Sequence, residues 1–372
     1  MYIDQIRLKS FRNYDQCSIN LTNGINIFIG KNGQGKTNLL ESIYFMSTTK
    51  SHRNIDDVQL IKMNEEFSCV DCHTCYDDHD VWYSAVIHKK GKTLCIRNQA
   101  VKKVSEFMGK INAVLFSPTD MNLFDASPKY RRHFLDVELG KMSTIYINQL
   151  NQYNRLLKER NAYLKQDSMD SLLFDSITEQ MLLPQIFILK KRYVFIEKLN
   201  TYISKYYQLI SDSDDVIDIQ YESVVPYNID DEMIKKDLVN KYLASRDRDI
   251  FLKQTNLGIH REDIIFRINN HDVLAMASQG QKRMIVIALK LALVSIIHEY
   301  TGEYPILLLD DVFSELDIYK RNRLVQMLPK KVQTIITTTD KNDLLDSIIN
   351  QSVIYVIEKG SAEKWMKNKS MT

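Results

Sequence analysis

The chain has 372 residues and a mass of 43.6 kDa, which at roughly 150 residues per domain means two to three domains, or one large domain with an insertion. Its 44% hydrophobic and 26% charged residues exclude wholesale disorder, a collagen-like repeat and a small disulfide scaffold. The net charge of +2, from 49 basic and 47 acidic residues, neither demands nor excludes a nucleic-acid partner, because local patches decide phosphate binding.

The N-terminus carries Asp4, Arg7 and Lys9 where a signal peptide needs an apolar run. No window reads as the ~20 apolar residues of a membrane span, so a cytoplasmic protein without a membrane partner is expected. Residues 3–8 read as a strand. Cys17, Ile19 and Leu21 alternate with polar residues and suggest another. Residues 25–29 are an apolar, β-branched run of buried-strand type. Gly30, Lys31, Asn32, Gly33, Gln34, Gly35, Lys36 and Thr37 follow, and residues 38–45 then have helical spacing.

Residues 66–100 read as antiparallel strands with a hairpin at Lys89, Lys90, Gly91 and Lys92. Cys69, Cys72, His73 and Cys75 have a spacing that invites a metal. A strand, however, turns Cys69 and Cys72 to opposite faces, and no second cysteine pair completes a tetrahedral site. The five cysteines are therefore expected to be reduced thiols.

Beyond residue 129 the pattern becomes helical. Tyr146, Leu150, Tyr153, Leu157, Arg160 and Leu164 form a heptad-like stripe, read as one arm of a helical hairpin. A second helical stretch covers residues 171–209, with Pro184 expected to kink it. Residues 211–232 are acidic and polar and read as a loop. Residues 264–268 and Val273–Leu274 flank Asn269 and Asn270 as a hairpin. Residues 281–300 form a strong helix, 306–309 a buried strand, 321–328 a helix and 332–338 a strand.

The segment Gly30 to Thr37 fits G-x-x-x-x-G-K-[ST], the phosphate-cradling P-loop, in a chain with only 11 glycines. Its context, a buried strand before and a helix after, is the one this chemistry needs. Lys36 is expected to reach the β- and γ-phosphates, and Thr37 to ligate Mg²⁺. Residues 306–309 end in Asp310 and Asp311, the Walker B pattern: Asp310 would hold Mg²⁺ and Asp311 would activate the attacking water. Ser278, Gln279, Gly280 and Gln281 open the long helix upstream of Walker B. A small hydroxyl and a glycine at a helix N-terminus make a second phosphate site. It would serve a P-loop only across a dimer, which is the logic of the ABC signature. Ser314, Glu315, Leu316 and Asp317 match the D-loop that runs along such an interface. Roughly 270 residues separate P-loop and Walker B, so a helical segment is inserted into the head.

Taken with the P-loop, several segments resemble the RecF family of bacterial recombination-repair ATPases over nearly the whole chain. They are Leu8 to Tyr14, Thr37 to Ile43, Lys50 to Arg53, Val114 to Asp120, Ser127 to Asp136, Gly258 to Asp263, Ser278 to Gln281 and Leu309 to Asp317. The chain departs from the family at Ile259 and Ala126, where proline and glycine are usual. It also lacks the transporter switch histidine after Thr337, Thr338 and Thr339, and has Asp311 where transporters carry glutamate.

The resemblance implies an α/β fold: an ABC-type P-loop ATPase head, with a mixed sheet flanked by helices and an antiparallel β subdomain, carrying an inserted helical arm. The expected segments are head at 1–118, arm at 119–255 and head again at 256–372. It implies a weak ATPase that dimerises on ATP, with Lys36, Asp310 and Asp311 catalytic. Residues Gly30 to Thr37, Arg12, Ser278 and Gly280 would hold ATP, and Thr37 and Asp310 would hold Mg²⁺. Duplex DNA and single-strand/double-strand junctions, RecR, RecO and, indirectly, RecA and SSB are the implied partners. His260, Arg131 and Arg132 are weaker site candidates. A transporter ATPase subunit lacks support from the missing histidine, an SMC-type chromosome protein would need a far longer coiled coil, and a monomeric P-loop kinase would not need Ser278.

Overall fold

The computed structural model describes residues 1–372 except 54, 167–169, 227–229, 330, 341–343 and 366–372. The chain divides into two compact units. The first comprises Met1–Met121, Tyr206–Asp214 and Arg283–Thr372; the second comprises Asn122–Lys205 and Asp215–Lys282.

The strands in chain order are β1 (Tyr2–Phe11), β2 (Tyr14–Asn20), β3 (Ile25–Ile29), β4 (Phe67–Cys75), β5 (Asp80–His88), β6 (Gly91–Ile96), β7 (Gln99–Ala100) and β8 (Ala113–Phe116). They continue with β9 (Ile217–Glu222), β10 (Asp263–Ile268), β11 (His271–Asp272), β12 (Ile306–Asp310), β13 (Thr334–Thr338), β14 (Ser352–Glu358) and β15 (Ser361–Lys364). The longer helices are α1 (Lys36–Thr48), α2 (Pro128–Met142), α3 (Thr144–Tyr163), α4 (Ser171–Ser211), α5 (Asp231–Leu252), α6 (Gln279–Thr301) and α7 (Ile318–Met327).

Two sheets build the first unit. One is antiparallel, in the order β2-β1-β4-β5-β6-β7, and its strands β4 and β5 alternate strictly. In β4, Ser68, Val70, Cys72 and Thr74 are buried while Cys69, Asp71, His73 and Cys75 face outward. Cys69 and Cys72 thus lie on opposite faces, and all five cysteines are free thiols. The second sheet is mixed, in the order β15-β14-β3-β13-β12-β8, with β3, β8, β12, β13 and β14 parallel. Strands buried on both faces read as continuous apolar runs; β12 and β8 are buried at every residue. Helix α1 joins the two sheets in one core, with Leu39, Leu40, Ile43, Phe45 and Met46 packing among Ile6, Leu8, Val70, Leu308 and Ile335.

The second unit holds α2, α3, α5 and the sheet β11-β10-β9. Along α3, Tyr146, Tyr153, Leu156 and Arg160 are the buried positions. Arg160 fills its place in the stripe because its guanidinium is partnered through Nε and Nη1. It donates to Asp249 at 2.8 Å, to Thr255 at 2.7 Å and to Thr178 at 2.9 Å, and lies over the rings of Phe174 and Tyr242. Removing one member of a buried ion pair strands the other charge, which costs about 3–5 kcal/mol. Asp249→Ala is therefore expected to lower the melting temperature of the chain strongly, read by circular dichroism; an unchanged melting curve would refute this role.

Several sequence expectations need correction. The segment 211–232 contains a strand, β9, which pairs along its whole length with β10; its charged residues face outward between buried Ile217 and Ile219. Residues 227–229 of that segment lie outside the described residues. Helix α5 follows, capped by Asp230, whose side chain accepts from the Met233 amide. The hairpin at Asn269 and Asn270 forms, both residues having positive φ, but its second strand is His271–Asp272; Val273–Met276 is a helical turn. Two helices, α4 and α6, are long and apolar enough by length and composition to cross a membrane. In α6 every residue from Met284 to Val294 is buried, so its apolar length serves a protein core. The boundary expected between residues 255 and 256 falls inside the second unit, because β10 is zipped to β9.

Candidate functional site

The mixed sheet places the chemistry. Strand β3 ends at Ile29 and β12 at Asp310, both parallel to β13, which lies between them. Open α/β sheets bind ligands beyond the carboxyl ends of such strands. Gly30 through Gly35 make the turn from β3 into α1, and Thr37 lies in the first turn of that helix. Gly30 must be glycine, since a Cβ there would sit 2.4 Å from the Ile357 carbonyl oxygen. Gly33 and Gly35 have φ of 78° and 121°, values that side chains disfavour.

The loop is braced from outside. The Asn13 amide donates to the Gln34 carbonyl at 2.9 Å, and the Tyr14 hydroxyl to the Gly35 carbonyl at 3.0 Å. The turn between β14 and β15 contributes the Lys359 amide to the Gln34 side chain at 2.7 Å and the Gly360 amide to the Gln34 carbonyl at 3.0 Å. Such bracing fixes the backbone amides before any anion arrives.

At the centre, the Thr37 hydroxyl donates to Asp310 Oδ1 at 3.0 Å across 273 residues of sequence. The Thr337 hydroxyl donates to the same oxygen at 2.8 Å, and the Asp311 amide donates to Thr337 Oγ1 at 3.1 Å. Asp311 adopts φ of 55°, a left-handed conformation that non-glycine residues seldom take, and its buried Oδ1 has no hydrogen-bond partner among the described residues. An unsatisfied buried carboxylate oxygen is costly and marks a place where a ligand or water belongs.

Lys36 folds back so that its ammonium donates to the carbonyls of Gly30 and Lys31. Burial pushes its pKa down, against the opposing pull of Asp311 and Asp310. Burial likewise pushes the Asp310 carboxyl up, against the hydrogen bonds from Thr337 and Thr37. Lys31, Asn32 and Gly33 at the loop tip are exposed.

Arg12 is held by a bidentate pair with buried Glu41, at 2.9 and 2.8 Å, and donates to the Gln59 carbonyl. Glu41 also accepts from Ser51 and lies near Arg53, so the segment from Lys50 to Arg53 is tied to α1 beneath the loop. Burial leaves the His52 imidazole neutral, pushed down to about 4.

In the second unit, Ser278 caps α6 in a reciprocal box: its hydroxyl accepts from the Gln281 amide and its amide donates to the Gln281 side chain. Ser278 and Gly280 are exposed, and a Cβ on Gly280 would meet nothing nearer than Ser278 Oγ at 3.9 Å. Asp317 caps α7 through the Lys320 amide, and Ile318 and Tyr319 beside it are 60% and 78% exposed.

Three weaker candidates have structural partners. Arg131 forms a bidentate pair with Asp263, Arg132 donates to the Glu262 carbonyl, and His260 sits between the Tyr153 hydroxyl and the Thr255 carbonyl. Burial holds His260 neutral, pushed down to about 4. Sequence reasoning missed Thr337 as the residue that organises both Walker B acids. The available signal was a hydroxyl at the end of the strand next to β12.

The chain is similar to known proteins over nearly its whole length. Residues 2–362 match the RecF/RecN/SMC N terminal domain family. The DNA replication and repair protein RecF of Listeria monocytogenes is 37% identical over 369 residues, covering 98% of this chain and all of the relative. A solved structure of the recombination mediator protein RecF–ATPrS in the RecFOR pathway superposes with a TM-score of 0.90 at 31% identity, over 98% of each chain. An Smc head bound to the C-winged helix domain of ScpA shares the fold alone, with a TM-score of 0.55 at 15% identity over 98% of this chain and 97% of that one.

Proposed function

The chain belongs to the RecF family of DNA replication and repair proteins, with the mixed α/β head common to RecF and Smc, and from that premise we propose that it is an ATP-hydrolysing recombination mediator whose two copies close on ATP. The observation that carries the reading is the meeting of Thr37, Asp310 and the unsatisfied Asp311 oxygen at the mouth of a braced P-loop.

The amides of Gly33 to Thr37 and the N-terminus of α1 receive the phosphates of ATP. Lys36 exchanges its two carbonyl partners for phosphate oxygens. A hydroxyl and a carboxylate side by side are the hard oxygen donors that Mg²⁺ takes, so Thr37 and Asp310 fit it. Bound there, Mg²⁺ would neutralise charge on the β- and γ-phosphates. Asp311 orients the attacking water through its free oxygen and takes its proton as the water oxygen bonds to the γ-phosphorus and ADP leaves. Thr337 positions both acids. Arg12, locked to Glu41, supports the nucleotide pocket by holding the backbone around it.

Ser278 and Gly280 complete the site of a second copy, since an exposed capped helix N-terminus is a ready anion site. The second unit, Asn122–Lys205 and Asp215–Lys282, serves as the inserted arm. The dimer binds duplex DNA beside single-strand gaps in the cytoplasm and acts with RecO and RecR to help load RecA onto SSB-coated strands.

The test is ATP hydrolysis measured with and without duplex DNA at two salt concentrations. Duplex DNA is expected to stimulate turnover, and the stimulation to fade as salt rises, because phosphate contacts release counterions. If turnover is intact but indifferent to DNA, both alone and with RecR added, the coupling to DNA is wrong.

A further inference from the structure

The outward face of the antiparallel sheet carries a second cluster of chemically capable side chains, unrelated to the nucleotide loop. Strand β1 has a bulge against β4: Tyr2 pairs with Cys75 and Gln5 with His73, so Asp4 is the extra residue between them. On the other side of β4, Cys75 pairs with Asp80 and His73 with Trp82. The bulge turns Asp4 outward beside its neighbour Gln5, and a bulge commonly re-aims a side chain in this way. As a result Asp4, His73 and Cys75 each offer a donor atom, and these atoms lie within 4.8 Å of one another.

The imidazole is oriented as a metal ligand would be. His73 Nδ1 faces Asp4 Oδ1 at 2.6 Å, and Nε2 faces Asp80 Oδ2 at 2.7 Å. The Trp82 ring packs against it with centroids 4.8 Å apart, and the Arg7 guanidinium covers that ring at 4.5 Å. A ligating histidine almost always gives its other ring nitrogen to a carboxylate, a backbone carbonyl or water, which fixes tautomer and direction. Here Asp80 is that carboxylate, leaving Nδ1 on the side of Asp4 and Cys75.

We propose that Asp4, His73 Nδ1 and Cys75 Sγ form a binding site for a divalent transition-metal ion of the Zn²⁺ class, with Asp80 as the positioning carboxylate and a fourth position open to water. Nitrogen, sulfur and carboxylate oxygen together are the donor set that zinc takes. With metal–ligand bonds of about 2.0–2.3 Å, tetrahedral ligands stand about 3.4 Å apart. The three side chains reach that spacing by rotamer adjustment, since all are only partly buried. The ion would take the place of the proton now shared between His73 and Asp4, and would displace the thiol proton of Cys75. The site excludes Cys72, on the opposite face, and Cys69, whose sulfur lies against Asp71 instead.

The experiment uses the full chain, purified reduced and stripped of metal, titrated with Co²⁺ as spectroscopic probe and then with Zn²⁺. A thiolate-to-cobalt charge-transfer band that saturates at one ion per chain and is bleached by Zn²⁺ is expected. The oxygen-lined site at Thr37 and Asp310 cannot give that band. Cys75→Ser and His73→Ala are expected to abolish it, Cys69→Ser to leave it unchanged, and Asp80→Asn to weaken cobalt affinity about 10–100-fold. Absence of the band in the native chain, or its persistence in Cys75→Ser, would overturn the site and leave His73 as a histidine held between two carboxylates. None of these readings depends on ATP turnover, so the ATPase proposal stands or falls separately.

Discussion

Lys36→Ala is expected to lower ATP turnover at least ~100-fold, the scale on which removing a preorganised charge from a phosphoryl-transfer site is felt. In the structure Lys36 is 7% exposed and its ammonium donates to the carbonyls of Gly30 and Lys31. Those acceptors are neutral, and the pull of Asp311 and Asp310 offsets burial only in part, so a phosphate supplies the missing counter-charge. The substitution removes the cation without disturbing the loop, because Asn13, Tyr14 and the β14–β15 turn hold the backbone independently. Phosphate release and fluorescent-nucleotide binding should therefore fail while the far-ultraviolet spectrum and melting curve stay native. Undiminished turnover by a folded Lys36→Ala protein would remove the P-loop from the mechanism.

Ser278→Arg is expected to separate binding from assembly. ATP affinity should stay within a few-fold of native, while ATP-dependent dimers vanish and turnover falls with them. The reasoning is local. Ser278 and Gly280 are exposed at the start of α6, where a long cationic side chain would occupy the space that a second copy's phosphates need. The substitution also removes a helix cap worth ~1 kcal/mol. Ser278→Ala loses the same cap without the bulk and serves as the control. Mass measured by light scattering with and without ATP reads the outcome. If Ser278→Arg dimerises as the native chain does, the site is not shared between copies.

The parts of the molecule that were legible in the sequence are those where one residue type admits one geometry. Glycines at 30, 33 and 35 in a glycine-poor chain point to a tightly turned backbone, and the aliphatic run 306–309 of β12 to a buried strand. The strict alternation of β4 also foretold that Cys69 and Cys72 would part. What stayed hidden depended on partners distant in sequence. Strand β9 looks like an acidic loop until β10 supplies its pairing. Helix α5 buries only Ile234, Leu238, Tyr242 and Asp249 and leaves Leu243, Ile250 and Phe251 exposed, so its apolar stripe is faint. Arg160 made sense in an apolar stripe only once Asp249 was beside it. Asp4 and His73 were joined by a bulge, a one-residue slip that no periodicity announces.

The parallel partners of β3 have a bearing on how the protein is made. Ile25 pairs with Thr334 on one side and with Ser352 on the other, so neither neighbour exists when β3 leaves the ribosome. At about 5–20 residues per second, the wait for β13 lasts roughly 15–60 s. Over that interval the antiparallel sheet, whose strands all lie within residues 2–100, can form, while Ile25, Ile27, Phe28 and Ile29 remain an unpaired apolar strand of the kind that recruits other chains. Nascent chains stalled before β13 should accordingly be the species that chaperones hold, and the residues of the second unit lengthen that vulnerable period.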